Sequence, residues 1–258
     1  MEFRRLLIAA VNDTPLEHLL RSAQVRLSGS QNARYDRELE KVIRLALCPA
    51  SNCVDVGVFR GEVLRQITKR APQGKHFAFE PVLKNHAYLS RTFPQVAVLQ
   101  MALSDHTGET TFQVVVGRES RSGLLRVEYP DPNQHVETIQ VKVELLDNVI
   151  PTDLRIDLVK IDVEGGELGV MKGAQALILR CKPLILFEHG YERAATYGFK
   201  PEDIYDLLDS LGMSVTLMKR WISHEPPLSR SQFCDLLYHK LEFFFLAASA
   251  TTQAAGSH

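Results

Sequence analysis

The chain has 258 residues, 45% of them hydrophobic and 24% charged, with a formal net charge of −1. That length suits one α/β domain with a full core, or at most two small domains, and the composition is that of an ordinary globular protein. The near-neutral balance argues against a general nucleic-acid surface. The apolar run at 6–11 is too short for a stable membrane insertion and lacks a cleavage-site pattern after it.

Residues 1–50 read as a helical segment packing on the core. Arg4, Arg5, Arg21, Arg26, Arg34 and Arg37 gather there, but acidic residues interleave with the later ones, which favours solvated helix faces over a basic patch. Tyr35-Asp36-Arg37 leads into Leu39, Val42, Ile43 and Leu45-Ala46-Leu47 at helical spacing, and Pro49 ends the helix. Short apolar strands then alternate with amphipathic helices, the pattern of a parallel sheet with crossovers. Strands are expected at 52–56, 76–80, 96–100, 156–162, 184–189, 214–219 and 241–247, and helices at 62–70, 83–93, 167–180 and 201–211. Between the third and fourth core strands, 110–116 and 137–144 alternate and are β-branched, predicting an antiparallel β insertion. The segment 117–133 that joins them is rich in Arg, Ser, Gly and Pro and reads as an exposed loop over the substrate edge. Cys48, Cys53, Cys181 and Cys234 show neither C-x-x-C nor zinc spacing, so reduced thiols in a cytoplasmic protein are expected.

The chemistry gathers at strand ends. Val54-Asp55-Val56-Gly57-Val58-Phe59-Arg60-Gly61 is an apolar strand end running into an Asp-x-Gly-x-x-x-Gly turn, and Phe77-Ala78-Phe79-Glu80 closes a second strand one helix later. The pairing describes a nucleoside crevice at the C-terminal edge of a parallel sheet. A dinucleotide site wants Gly at the first turn position and a helix N-terminus free for phosphate. Asp55 there would repel a diphosphate and suit a cationic ligand such as the sulfonium and ammonium of S-adenosylmethionine. Glu80 can accept two hydrogen bonds from a ribose diol. After the third strand, Ala102-Leu103-Ser104-Asp105 offers a backbone contact from Ala102 or a hydrogen bond from an exocyclic amine to Asp105, and equally suits a plain turn before Thr107-Gly108.

A second constellation is Ile156-Asp157-Leu158-Val159-Lys160-Ile161-Asp162-Val163-Glu164-Gly165-Gly166-Glu167. Lys160 and Asp162 interrupt what should be a continuous apolar central strand. They do so near the end where parallel sheets hold ligands. Asp162 and Glu164, alternate positions of an extended chain, could face one pocket, while Glu164 or Glu167 could instead cap the following helix. The third is Pro183-Leu184-Ile185-Leu186-Phe187-Glu188-His189-Gly190, where a histidine at the same edge suits general-base work on a hydroxyl. Asp162, Glu164, Glu188 and His189 are compatible with a divalent cation, which nothing in their spacing requires.

Together these segments resemble the FkbM family of S-adenosylmethionine-dependent methyltransferases. The matching pieces are Val54-Asp55-Val56-Gly57 with Gly61, Phe77-Ala78-Phe79-Glu80-Pro81, Ala102-Leu103-Ser104-Asp105 with Gly108-Glu109, and Lys160 to Glu167 with Lys172-Gly173. Val58-Phe59-Arg60 departs from the smaller or polar residues common between those glycines, leaving Arg60 to face solvent or the donor carboxylate. The resemblance implies an α/β, class I methyltransferase (Rossmann-like) fold. Its seven-stranded, mostly parallel sheet carries helices on both faces, and its last strand is antiparallel. The expected organisation is a helical segment at 1–50, the methyltransferase domain at 51–250 and a disordered tail at 251–258. The implied reaction is methyl transfer, usually to a hydroxyl oxygen of a sugar, glycoconjugate or secondary metabolite, with N- or carboxyl-methylation as the alternative. Asp55, Gly57, Gly61, Glu80, Ala102, Asp105 and Asp162 are the expected donor-binding set, and His189, then Glu164, with Asp162 beside them, the catalytic one. The acceptor would be a small molecule or glycan, and a homodimer is compatible with the sequence. Two rivals are a non-catalytic nucleoside-binding module, which would not need acids at the fourth and fifth strand ends, and an NAD-linked oxidoreductase, which Asp55 disfavours.

Overall fold

A computed structural model describes residues 30–126 and 133–249. The arginines at 4, 5, 21 and 26, the apolar run at 6–11 and the expected tail at 251–258 lie outside the described residues. In chain order the strands are β1 (Cys53–Val56), β2 (His76–Phe79), β3 (Ala97–Leu99), β4 (Ala102–Leu103), β5 (Gly108–Val115), β6 (Val136–Glu144), β7 (Leu158–Ile161), β8 (Leu184–Glu188), β9 (Ser214–Thr216) and β10 (Phe244–Ala248). The helices are α1 (Gln31–Ala46), α2 (Glu62–Arg70), α3 (Leu83–Thr92), α4 (Leu146–Val149), α5 (Glu167–Lys172), α6 (Gln175–Cys181), α7 (Tyr191–Thr196), α8 (Pro201–Ser210), α9 (Met218–Ile222) and α10 (Arg230–Tyr238).

The short apolar runs pair as a seven-stranded sheet in the order β3-β2-β1-β7-β8-β10-β9. Strands β3, β2, β1, β7 and β8 run parallel, and β10 is antiparallel to both β8 and β9. Alternation divides the sheet into two faces. Val54, Val56, Val159, Ile161, Ile185 and Phe187 join a core built with α5, α6, α8 and α10. Cys53, Leu158, Leu184 and Leu186 join another built with Tyr35, Leu39, Val42 and Ile43 of α1. Helix α1 starts where the Ser30 hydroxyl accepts from the Ala33 N–H at 3.3 Å. Of the N-terminal arginines that can be placed, Arg34 pairs with Glu242 and Glu38, so it closes α1 against the chain's C-terminal part. The β insertion forms its own three-stranded sheet, β4-β6-β5, with β5 and β6 antiparallel from Gly108↔Val143 to Val115↔Val136.

Three expectations shift for local reasons. The strand expected over 214–219 stops at Thr216, because Met218 and Trp221 are buried three residues apart, a helical spacing, in the core that α1 covers. Helices α4, α7 and α10 fall outside the expected elements, α10 although Ser229 and Gln232 make a capping box at its start. The helix expected over 167–180 divides into α5 and α6 at 173–174, and the glycine at 173 stands where a side chain would strike the turn after β4. A Cβ on Gly173 would lie 2.1 Å from the Ser104 carbonyl oxygen. Gly173→Ala should therefore push β4 and α5 apart and lower stability by about 1–3 kcal/mol, measured by urea unfolding.

Candidate active site

The ends of β1, β2 and β7, the turn after β3 and the β5–β6 insertion surround a cleft. Its floor begins with a buried lysine. Asp55 and Lys160 stand directly opposite in the β1–β7 register, 1% and 4% exposed. The Lys160 Nζ lies 3.2 Å from Asp55 Oδ1 and 3.5 Å from Asp162 Oδ2, and it donates to the Gly57 carbonyl at 2.7 Å. Burial acts to lower the Lys160 ammonium, and the Asp55 and Asp162 carboxylates outweigh it, so the lysine stays charged. One cation thus ties the Asp-x-Gly turn to the acidic turn after β7.

The two turns also touch directly. Gly57 has φ 75°, and a Cβ on it would lie 1.8 Å from the Asp162 carbonyl oxygen, so only glycine closes this edge. Asp162 N–H in turn donates to the Val56 carbonyl at 3.1 Å. Gly61, at φ 79°, lets the start of α2 pack on the Phe93 ring and does not line the cleft. Between the glycines, Phe59 lines the cleft in the left-handed region (φ 51°) and Arg60 stacks over its ring at 5.6 Å.

Glu80 lines the wall beyond β2 and is 5% exposed. Its Oε2 accepts from the Phe59 N–H at 3.0 Å, while its Oε1 accepts from Val82 N–H at 3.0 Å and Asn85 Nδ2 at 3.3 Å. Burial raises its carboxyl to about 7, against the pull of these donors. A carboxylate has about four acceptor positions, so one on Oε2 stays available to a ligand hydroxyl. Met101, Ala102 and Leu103 supply the apolar side of the cleft. Asp105 sits outside that lining, bonded to His106 Nδ1 at 3.1 Å and Ser104 Oγ at 3.3 Å.

The opposite wall is acidic. Asp162, its side chain 31% exposed, and Glu164 both line the cleft. Glu164 occupies the left-handed region (φ 59°), and its carboxylate pairs with the Arg193 guanidinium of α7. Burial pushes Glu164 up to about 8, more than Arg193 pulls it down. Glu188 lies nearby, raised to about 9 by burial and by the charges of Asp162, Glu164 and Glu167. His189, by contrast, is 0% exposed and faces Glu167 at 3.2 Å, away from the cleft lining. Glu119, Ser120, Ser122 and Leu124 close the cleft from the insertion, and the Tyr197 hydroxyl accepts from the Leu125 N–H at 3.3 Å to hold that loop down. The structure therefore brings Gly57, Glu80, Ala102, Asp162 and Glu164 to one cleft, with Asp55 beneath it and Gly61, Asp105 and His189 outside it. Lys160 is the residue whose role sequence reasoning missed, although its break in an apolar strand was the signal. Among the described residues no group of three or more His, Cys, Asp or Glu side chains is arranged to hold a metal ion.

This sheet order, with a cleft at the ends of β1 and β2, is the class I methyltransferase fold. The sequence matches the Methyltransferase FkbM domain over residues 55–215, more than half its length, and the chain belongs to that family. A curated relative, the AMB antimetabolite synthetase AmbE of Pseudomonas aeruginosa, is 27% identical over 213 residues, covering 67% of this chain and 10% of its own. The chain thus spans one-tenth of the length of that relative. A crystal structure of the methyltransferase FkbM from Methylobacillus flagellatus is 17% identical, with a TM-score of 0.47, and covers 78% of this chain and 44% of its own. A TehB-like SAM-dependent methyltransferase from Corynebacterium glutamicum is 10% identical, with a TM-score of 0.45, and covers 85% of this chain and 94% of its own.

Removing the central cation leaves Asp55 charged and buried without a partner, so Lys160→Met should lower stability by about 3–5 kcal/mol in urea unfolding. Asp55→Asn combined with Lys160→Met should recover part of that loss, because both buried charges then go together.

Proposed function

We propose that the chain methylates a hydroxyl oxygen on a small molecule, of the sugar, glycoconjugate or secondary-metabolite kind. The observation that carries this reading is Glu164, a carboxylate with an upshifted pKa held at the cleft in a conformation that side chains avoid. The residues present fit the donor. Glu80 has an acceptor position open for a ribose hydroxyl, Ala102 borders the apolar side, and Gly57 brings backbone close to the ligand. Asp162 sets negative charge beside the place for a cationic sulfur. Asp55 acts from below, by fixing Lys160 and through it Gly57. When bound, S-adenosylmethionine supplies a methyl group on a sulfonium that departs as a neutral thioether.

Glu164, once ionised, accepts the proton of the attacking hydroxyl, and Arg193 keeps its carboxylate aimed at the cleft. The Glu119–Leu124 loop orients the acceptor so that its oxygen, and not water, meets the donor. His189 contributes nothing at the proton, because both its ring nitrogens are buried away from the cleft lining. The name of the Pseudomonas relative, an antimetabolite synthetase, supports a secondary metabolite as acceptor. The free thiols of all four cysteines support a cytoplasmic location.

Two outcomes are expected. S-adenosylhomocysteine at about 100 times its Kd should stabilise the protein by about 2.7 kcal/mol, seen as a raised Tm, whereas NAD should leave the Tm unchanged. A screen of glycosides, sugar derivatives and polyketide-like alcohols, read as S-adenosylhomocysteine release, should then find turnover on a hydroxyl. Turnover confined to amines or carboxylates would overturn the oxygen assignment. Below about 8 Glu164 holds its proton and cannot accept another, so kcat should rise with pH and level off above about 8. Glu164→Gln should lower kcat by about 10²–10⁴ and remove that pH dependence.

A further inference from the structure

The turn from Asp162 to Gly166 is made of backbone that resists its own shape. Glu164 sits at φ 59° and Gly165 at φ 106°. A non-glycine residue in the left-handed region persists only where its surroundings impose it. Here the surroundings are a buried pair outside the cleft. Glu167, 1% exposed, turns Oε1 toward the turn and accepts from the N–H groups of Val163 at 3.3 Å and Gly165 at 2.9 Å, the two residues that bracket Glu164. Its Oε2 lies 3.2 Å from Nδ1 of His189. His189 is itself anchored, its backbone N–H donating to the Phe243 carbonyl at 2.7 Å, while its Nε2 is buried with no hydrogen-bond partner. With two backbone N–H groups converging on Oε1, Glu167 acts as an acceptor, and a proton on the imidazole Nδ1 is what completes its contact through Oε2.

We infer that Glu167 and His189 form a positioning couple that fixes the acidic turn for the methyl donor, with His189 working through its Nδ1–H on Glu167 and not through proton transfer at Nε2. The inference deepens the reading of the cleft as a donor site and rests on it. Chain chemistry makes the couple specific. A glutamine at 167 has one acceptor oxygen and a donor amide. Whichever way that amide turns, it loses either the two backbone N–H groups or the imidazole. An asparagine at 189 can place an amide N–H where Nδ1–H stands but has no counterpart of Nε2.

The test uses the full chain, S-adenosylhomocysteine titrated by calorimetry, and three variants. Glu167→Gln and His189→Leu should each weaken binding tenfold or more, and His189→Asn should restore it to within threefold of the unaltered protein. If His189→Leu binds like the unaltered protein, or His189→Asn is as weak as His189→Leu, the couple does not position the turn. Nitrogen-15 NMR of histidine-labelled protein, assigned by the signal lost in His189→Asn, reads the tautomer without any ligand. A proton on Nδ1 is expected at His189, and a proton on Nε2 alone would overturn the couple even where variants fold poorly. Failure of the unaltered protein to bind S-adenosylhomocysteine would instead remove the donor reading and leave the tautomer to decide the couple.

Discussion

A single ammonium group placed inside a β-sheet sets the terms for everything around it. Lys160 interrupts an apolar strand, and a buried charge without partners would be expelled or neutralised. It stays because Asp55 stands opposite it in the next strand and because the Gly57 carbonyl and Asp162 complete its surroundings. Satisfying one cation therefore draws the ends of β1 and β7 to a common point. The bare edge of Gly57 then permits so close a packing of the two turns that a Cβ there would lie 1.8 Å from the Asp162 carbonyl oxygen. The cleft exists where it does because that pair of strand ends cannot separate without exposing the charge.

Charge is graded across the cleft. Asp55 is matched at the floor, Asp162 is half-shared with Lys160, and Glu164 is matched by Arg193 yet kept high by burial. Glu80 carries donors on both oxygens and is also held high. Such an arrangement suits a ligand that brings its own positive centre and a nearby hydroxyl that must lose a proton. Neither property comes from one residue. Each depends on how much water the surrounding elements exclude.

Much of this was legible in the residues. Alternating apolar strands and helices gave the sheet, and the acids at strand ends marked one edge, because side-chain period and the location of strand C-termini are local rules. Glu164 does line the cleft, but from a left-handed turn and not through the alternation of an extended chain. What escaped was set by long-range contact. His189 follows directly on β8 and is buried against Glu167, and neither it nor Glu188 lines the cleft, which no local signal reveals. Asp55 reads as a ligand contact until the register places Lys160 opposite it. Gly173 resembles an ordinary helical glycine until β4 is seen packed on it, and Met218-Lys219 read as the end of a strand because apolar residues fit either period over so short a span.

The β4-β6-β5 sheet has a consequence for how such a protein diversifies. It is a separate hydrogen-bonded unit, in which Ala102 and Leu103 pair with Val143 and Glu144 and also line the cleft. On the proposed reading, the β5–β6 loop that meets the acceptor folds on this sheet, which also lends Ala102 of β4 to the donor's side. Lengthening the β5–β6 hairpin, or exchanging its tip, alters that loop without disturbing the buried cation that holds the ends of β1 and β7. Acceptor range in this architecture can thus drift as an interchangeable cassette, while the methyl-donor half stays fixed like the chuck of a lathe that takes many tools.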